Sequence, residues 1–244
     1  VTYSGSALSL FFAVDMDLRG AGLDSGNFWL YENEDVDGLY AEGLSSAVLD
    51  EHSLPKGMFL TVTTLKDPSK MHSGHHTCEA FTFVGYDAFE QWAGQASGEG
   101  ADDYEALKED LAGRMFQGLE RWVPGISRHV VFWSLGTPLS NEHYINAHRG
   151  NLYGIAKSPD QVGPGAFSVQ TEINGLYMVG ASTLSHGVSG ATYSGLAAAR
   201  KILDCRTSDL LTQDGPELRI FPSEDITEWP QELRERIERG KRIE

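Results

Sequence analysis

The stretch richest in chemical potential is Gly175-Leu176-Tyr177-Met178-Val179-Gly180-Ala181-Ser182-Thr183-Leu184-Ser185-His186-Gly187-Val188-Ser189-Gly190-Ala191-Thr192-Tyr193-Ser194-Gly195-Leu196-Ala197-Ala198-Ala199-Arg200. Its pattern predicts a buried strand ending at Gly180, a turn, and a helix that opens near Ser189-Gly190. The early helical positions Gly190, Ala191, Ser194, Gly195, Ala197 and Ala198 are nearly all small. Small residues let a helix N-terminus lie very close to a flat ligand or to another backbone. The unpaired N–H groups at that end favour an anion or an electron-rich carbonyl. A helix packed tightly on a sheet, with no ligand, explains the same pattern, and the residues alone divide evenly between the two. The segment is not a dinucleotide fingerprint: no G-x-G-x-x-G follows a strand and opens a helix anywhere in the chain.

Other residues invite chemistry less strongly. His72, His75, His76 and Cys78 form H-x-x-H-H-x-C, residue types that suit zinc. They join two predicted strands, where histidines are usually solvated, and no metal is expected there. His143, Tyr144, His148 and Arg149 fall in a stretch, 136–168, that reads as irregular, and a loop of that length is usually functional or poorly ordered. Cys78 and Cys205 are the two cysteines. So few argue against a disulfide framework and for a reducing compartment. No acid–base pair stands out.

The elements that would position these residues follow from periodicity. Residues 5–14 read as a buried strand, and Asn27-Phe28-Trp29-Leu30-Tyr31 as a short one. Met58–Leu65 and Thr77–Val84 are strands by β-branched and aromatic content, the first ended by Asp67-Pro68. Tyr104, Leu107, Leu111, Met115, Leu119 and Trp122 then recur at helical steps, behind Asp102 and Asp103 and before Pro124-Gly125. His129–Ser134 is a further strand. Trp229, Leu233 and Ile237 give residues 231–242 one apolar stripe on a charged helix. The chain holds 19 Lys and Arg against 35 Asp and Glu, a net charge of -16, which argues against a nucleic-acid partner. With 41% hydrophobic residues it is a core-forming chain, and no run approaches the roughly 18 apolar residues of a membrane span. A buried strand so close to Val1, with no basic segment before it, reads as part of a longer chain and not as a signal peptide. A terminus processed by a few residues is the alternative.

The ordered landmarks resemble a family. Val179-Gly180-Ala181-Ser182-Thr183, His186-Gly187-Val188-Ser189-Gly190-Ala191 and Ser194-Gly195-Leu196-Ala197-Ala198-Ala199 resemble the C-terminal flavin-binding motif of the phytoene desaturase family, which includes carotenoid isomerases and retinol saturases. Ser6–Phe11, Leu65–Ser69, Pro124–Ile126, Gly136–Ser140 and Gly150–Gly154 match successive landmarks before it. The resemblance spans residues 1 to about 204. It implies an α/β (α+β) fold, the C-terminal part of a two-domain FAD-dependent oxidoreductase. Residues 1–135 would be a mixed-sheet portion of the substrate domain. Residues 136–204 would be an active-site loop and the returning segment of the FAD-binding domain, and 205–244 an acidic tail.

The implied cofactor is FAD, held by Gly180, Ser182, Thr183, Gly187, Val188, Ser189, Gly190 and Ala191, in a site that lacks the family's N-terminal dinucleotide-binding half. His186 is the candidate catalytic residue, though a hydrogen-bonded loop histidine is the plainer reading. His143, Tyr144, Arg149 and Tyr153 are candidate substrate contacts. The implied activity is desaturation, saturation or redox-neutral isomerisation of a conjugated polyene lipid, a carotenoid or retinoid, by a cytoplasmic protein in peripheral contact with a membrane. A non-catalytic lipophile-binding module, or a subunit completed by another chain, is the alternative.

Overall fold

The computed structural model describes residues 1–50, 53–94, 102–211 and 215–242. Five strands form one sheet: β1 (Ser6–Val14), β2 (Asn27–Tyr31), β3 (Gly57–Val62), β4 (His76–Val84) and β5 (Val130–Gly136), in the order β2-β3-β4-β1-β5. The helices among the described residues are α1 (Val36–Gly43), α2 (Thr63–Lys66), α3 (Asp102–Glu120), α4 (Pro138–Ile145), α5 (Gly187–Leu203), α6 (Thr207–Leu210) and α7 (Gln231–Arg242).

The fold is α+β, and every strand pairing is antiparallel. The mixed sheet expected from the sequence is corrected accordingly. The α3 crossover does return β5 in the direction of β4, but β1 lies between them and runs against both. Strand direction thus depends on which strand intervenes, and strand composition does not encode that.

Alternation gives the sheet two unlike faces. One carries Leu8, Leu10, Phe12, Val14, Met58, Leu60, Val62, Cys78, Ala80 and Leu135, all buried. Against it α3 lays Leu111, Met115, Phe116 and Leu119, one turn apart, with the Phe12 and Phe116 rings edge-on at 5.4 Å. The α3 helix stops at a turn in which Gly125 takes a φ of 88°. There the Glu120 carboxylate accepts the Gly125 and Ser127 N–H groups at 2.6 and 2.8 Å.

The chain after β5 is tied back to the strand that opens the fold. Leu152 N–H donates to Gly5 O at 3.0 Å, Ser4 N–H to Gly154 O at 2.9 Å and Ala156 N–H to Thr2 O at 2.8 Å. Buried Gln161 spans both backbone groups of Thr2 at 2.8 Å.

Several boundaries differ from the sequence reading. The stretch 136–168 contains α4, started by a capping box between Thr137 and Ser140 with Pro138 in the first turn. The strand expected to run to Leu65 ends at Val62, because Thr63–Lys66 coils into one helical turn. The segment 175–180 is not a strand: Tyr177 makes a single bridge to Gln170, and among the described residues no sheet edge lies beside it to extend a ladder. The charged helix near the end forms as α7, buries Ile237 and packs on the Pro68–Lys70 turn.

The two faces predict unequal sensitivity. Leu60→Ala should cost about 2–5 kcal/mol, the usual range for a buried leucine. Phe11→Ala, on the opposite face at 47% exposure, should cost under about 1 kcal/mol. Urea unfolding midpoints at equal m-value measure both.

Candidate functional site

The second face of the sheet is built from the alternate residues of the same strands. Trp29, Phe59, Phe81 and Ser9 lie in one row across four strands. The Phe59 and Phe81 rings stack at 4.8 Å, and Trp29 meets them edge-on at 5.2 and 5.6 Å. Phe83 stands edge-on to Phe81 at 5.6 Å, and Tyr40 of α1 lies on Phe83 at 4.9 Å. So much aromatic surface on the face away from α3 is the first sign of a ligand surface and not a second core.

A cavity opens at the end of this face. Beyond the Phe59–Phe81 pair β3 and β4 part, with Thr82 Oγ1 donating across the gap to Gly57 O at 2.8 Å. The space there measures about 760 Å3 with its open mouth, and its walls include Trp29, Tyr31, Leu39, Tyr40, Phe59 and Phe81. Arg114 reaches its floor, but its guanidinium is used by the wall: it donates to Val48 O and Asp50 O at 3.0 and 2.8 Å and pairs with Asp110. The rest of the lining is mostly apolar and phenolic, includes Leu8, Met58, Leu111 and Met115 from the α3 side, and carries the Glu42–Lys56 ion pair at 2.8 Å. Burial, with the Tyr31 hydroxyl 3.4 Å away, pushes the Tyr40 phenol up to about 12, so it stays protonated.

Tyr153 packs on the glycine-rich turn, its ring on His186 at 4.9 Å. His186 is the N-cap of α5, which opens at Gly187, earlier than the expected Ser189-Gly190. The turn is braced from inside. Gly180 N–H donates to Ser194 Oγ at 2.7 Å, and Thr183 donates through both N–H and Oγ1 to Gly180 O. Ser194 and Thr183 are buried.

The eight residues proposed for a flavin therefore divide. Thr183 is internal, Ser182 packs against Gly154, and a Cβ on Gly190 would sit 2.5 Å from the Ser185 carbonyl. Gly190 thus lies against the turn's own backbone, with no room for a side chain there. Gly180 and Gly187, at φ of 109° and 77°, face open space, and Val188 is 87% exposed with Ser189 beside it. Ala191 is half-buried behind them.

The remaining candidates lie apart from this turn. Arg149 pairs with Asp87 and Glu90 and covers the Tyr86 ring at 4.7 Å. His143 and Tyr144 contact each other at 4.7 Å on exposed α4, and His148 lies on Tyr3 at 4.5 Å. His76 Nδ1 pairs with Thr64 Oγ1 at 2.8 Å while burial pushes the Cys78 thiol up to about 12. Among the described residues no three His, Cys, Asp or Glu gather as a metal site. The sequence reading missed the aromatic cavity. Its signal was the i, i+2 aromatics Trp29/Tyr31 and Phe81/Phe83, each alternating with the core face.

No family model matches the chain. Among curated proteins, it is 26% identical over 207 residues to an all-trans-retinol 13,14-reductase of Danio rerio, covering 83% of this chain and 34% of that protein. It is 31% identical over 147 residues to the chloroplastic prolycopene isomerase of Arabidopsis thaliana, 59% of this chain and 24% of that one. Over these stretches the chain is similar to retinol 13,14-reductases and prolycopene isomerases. It spans about a third or less of the length of these relatives. An oxidoreductase from Methanosarcina mazei superposes with a TM-score of 0.41 at 15% identity, over 83% of this chain and 35% of that one, too low a likeness to bear on the site.

The glycines of α5 give a direct check. Gly190→Ala should lower the melting temperature because its Cβ meets the Ser185 backbone. Gly195→Ala, where nothing lies within 4 Å, should hold or raise the melting temperature, through up to about 1 kcal/mol of helix propensity.

Proposed function

We propose that the aromatic face and its cavity bind a conjugated polyene lipid, and that the chain is the polyene-contacting part of an FAD-dependent oxidoreductase. The observation that carries this is the row of stacked and edge-on rings, Trp29, Phe59, Phe81 and Phe83, on the face of the sheet away from α3, with a cavity at its end. A polyene has no hydrogen-bonding groups along its length, so it is recognised by flat, polarizable walls and by exclusion of water. Trp29, Phe59, Phe81 and Phe83 supply such walls.

The relatives' names point the same way: one set acts on retinol, the other on prolycopene. Both are conjugated chains, and desaturation, saturation and redox-neutral isomerisation fit one scaffold. The open backbone at Gly180 and Gly187 and the exposed first turn of α5 suit the close approach of a flat ring. Their N–H groups would face its carbonyl edge. Bound there, the flavin supplies hydride exchange, while the chain's residues hold the polyene and keep water out. Tyr153 and His186 would form the border between the two.

The second reading is a polyene-binding protein without catalysis. A relative named an inactive all-trans-retinol 13,14-reductase, 25% identical over 210 residues, favours keeping it. In either case the lipid must come from a membrane. No helix among the described residues is long and apolar enough to cross one. With a net charge of -16, contact with anionic lipid would rest on apolar insertion and resist salt.

Titration with all-trans-retinol or a carotenoid, followed by quenching of tryptophan emission, tests the reading. The protein should bind, and Phe81→Ala should weaken binding about tenfold or more, the equivalent of one lost aromatic contact surface, with circular dichroism unchanged. Absence of binding by the unaltered protein would remove the proposal.

A further inference from the structure

The cavity at the end of the aromatic face opens where its exposed residues lie. Of the residues that line it, Trp29, Glu42 and Lys56 are exposed, and the others are buried or half-buried. These three mark the mouth. Glu42 belongs to α1 and Lys56 to the turn before β3, and their side chains meet at 2.8 Å. An ion pair therefore bridges the opening. A second tie lies between the hydroxyls of Tyr40 on α1 and Tyr31 on β2, 3.4 Å apart.

The α1 helix carries one half of this bridge, and it is lightly held. It presents Leu39, Tyr40 and Gly43 to the cavity, yet none of its eight residues is buried. Residues 32–37, which lead into it, are all exposed. Its first turn is capped from within, the Asp35 carboxylate accepting from Gly38 N–H at 3.1 Å. The two ends of the segment are fixed. Glu32 N–H donates to Lys56 O at 2.8 Å, and its carboxylate pairs with Arg121 at 3.1 Å. At the other end a Cβ on Gly85 would strike the Leu44 carbonyl, and one on Gly5 the Leu44 side chain. Leu44 is thus held against two glycines. Elements with few buried contacts are the ones that open locally, and here such an element spans two fixed points and walls the cavity.

We propose that α1 is a lid on the cavity, swinging between Glu32 and Leu44, with the Glu42–Lys56 ion pair as the latch that an entering apolar ligand must find open. The identity of that ligand rests on the polyene reading above; the lid does not. With the pair parted, Leu39 and Tyr40 leave the wall and the mouth widens. With the ligand inside, the pair re-forms over it and keeps water out. The latch is closed in the empty and the filled protein alike. It therefore sets the rates of entry and exit and leaves the affinity nearly unchanged.

Stopped-flow quenching of tryptophan emission measures the entry of all-trans-retinol and, separately, of the apolar dye Nile red, which is not a polyene. Lys56→Gln and Glu42→Gln should each raise the entry and exit rates about two- to fivefold, the worth of one exposed ion pair, with affinity held within about twofold. The double substitution should add nothing further, because both remove the same contact. Lys108→Gln, which removes a surface pair with Glu105 on α3 at 3.1 Å, should change neither rate. Thermal melts confirm that each variant is folded. A water-soluble carbodiimide, which joins a carboxylate to an amine in contact with it, locks the latch as a Glu42–Lys56 amide, identified by peptide mass spectrometry. The locked protein should take up and release ligand about tenfold more slowly or worse, while Lys56→Gln given the same treatment keeps its fast rates. Rates that ignore the lock overturn the lid, and so do rates unchanged by both single substitutions; retinol binding under those conditions leaves the polyene reading standing. If Nile red is gated and retinol does not bind, the lid stands and the polyene reading falls. If neither enters, both fall together.

Discussion

The structure depends on one constraint: every strand of the sheet must satisfy two different environments at once, because its side chains alternate. In β3, Met58, Leu60 and Val62 belong to α3, and Phe59 and Thr61 to the other face. In β4, Ala80 and Thr82 are turned toward α3 and Glu79, Phe81 and Phe83 away from it. A slip of one residue in β4 would turn Glu79 toward α3, and one in β3 would turn Leu60 away from it. The register is therefore held by the core, and the aromatic face inherits its geometry from that register without any contact of its own having to enforce it. This is an economical way to build an open apolar surface. The aliphatic side supplies the stability that lets the aromatic side remain available to a ligand.

The position of the glycine-rich turn follows from a second tether. The chain leaves β5, turns through α4, and is laid beside residues 2–6 by the backbone bonds of Leu152, Gly154 and Ala156. Tyr153 sits in the middle of that tether and meets His186 on one side. Lys157, just beyond, reaches Ala181 O at 2.6 Å. The turn and the sheet thus approach each other through residues fixed to β1, the central strand. The segments 29–31, 57–61 and 79–83, scattered in sequence, meet in one face of the sheet, while Tyr153 meets His186.

How much of this the sequence shows depends on the range of the interaction. Helical spacing from Tyr104 to Trp122 and the apolar runs of β1, β3 and β4 are local patterns, and they are legible. The Ile237 stripe of α7 is too. What is not legible needs a partner. The 175–180 segment has the composition of a strand, but composition cannot supply the neighbouring edge on which a ladder depends. Gly190 looks equally suited to a ligand or to packing until Ser185 is seen 2.5 Å from where its Cβ would be. Arg149 has the chemistry of a substrate contact, and only the structure shows that it pairs with Asp87 and Glu90 at the surface. The aromatic cavity was written in the alternation of Trp29/Tyr31 with Phe28/Leu30. Its reading required knowing that α3 covers one face only.

The central claim is that the aromatic face, and not the core side or α5, holds the apolar ligand. Photolabelling with a polyene bearing a diazirine on its chain, followed by peptide mass spectrometry, tests this most directly. The account predicts labels on the peptides that contain Trp29–Tyr31, Phe59–Thr61 and Glu79–Phe83, suppressed by unlabelled polyene. Labels concentrated on the exposed residues of α5 or on α7, or insensitive to competitor, would contradict it.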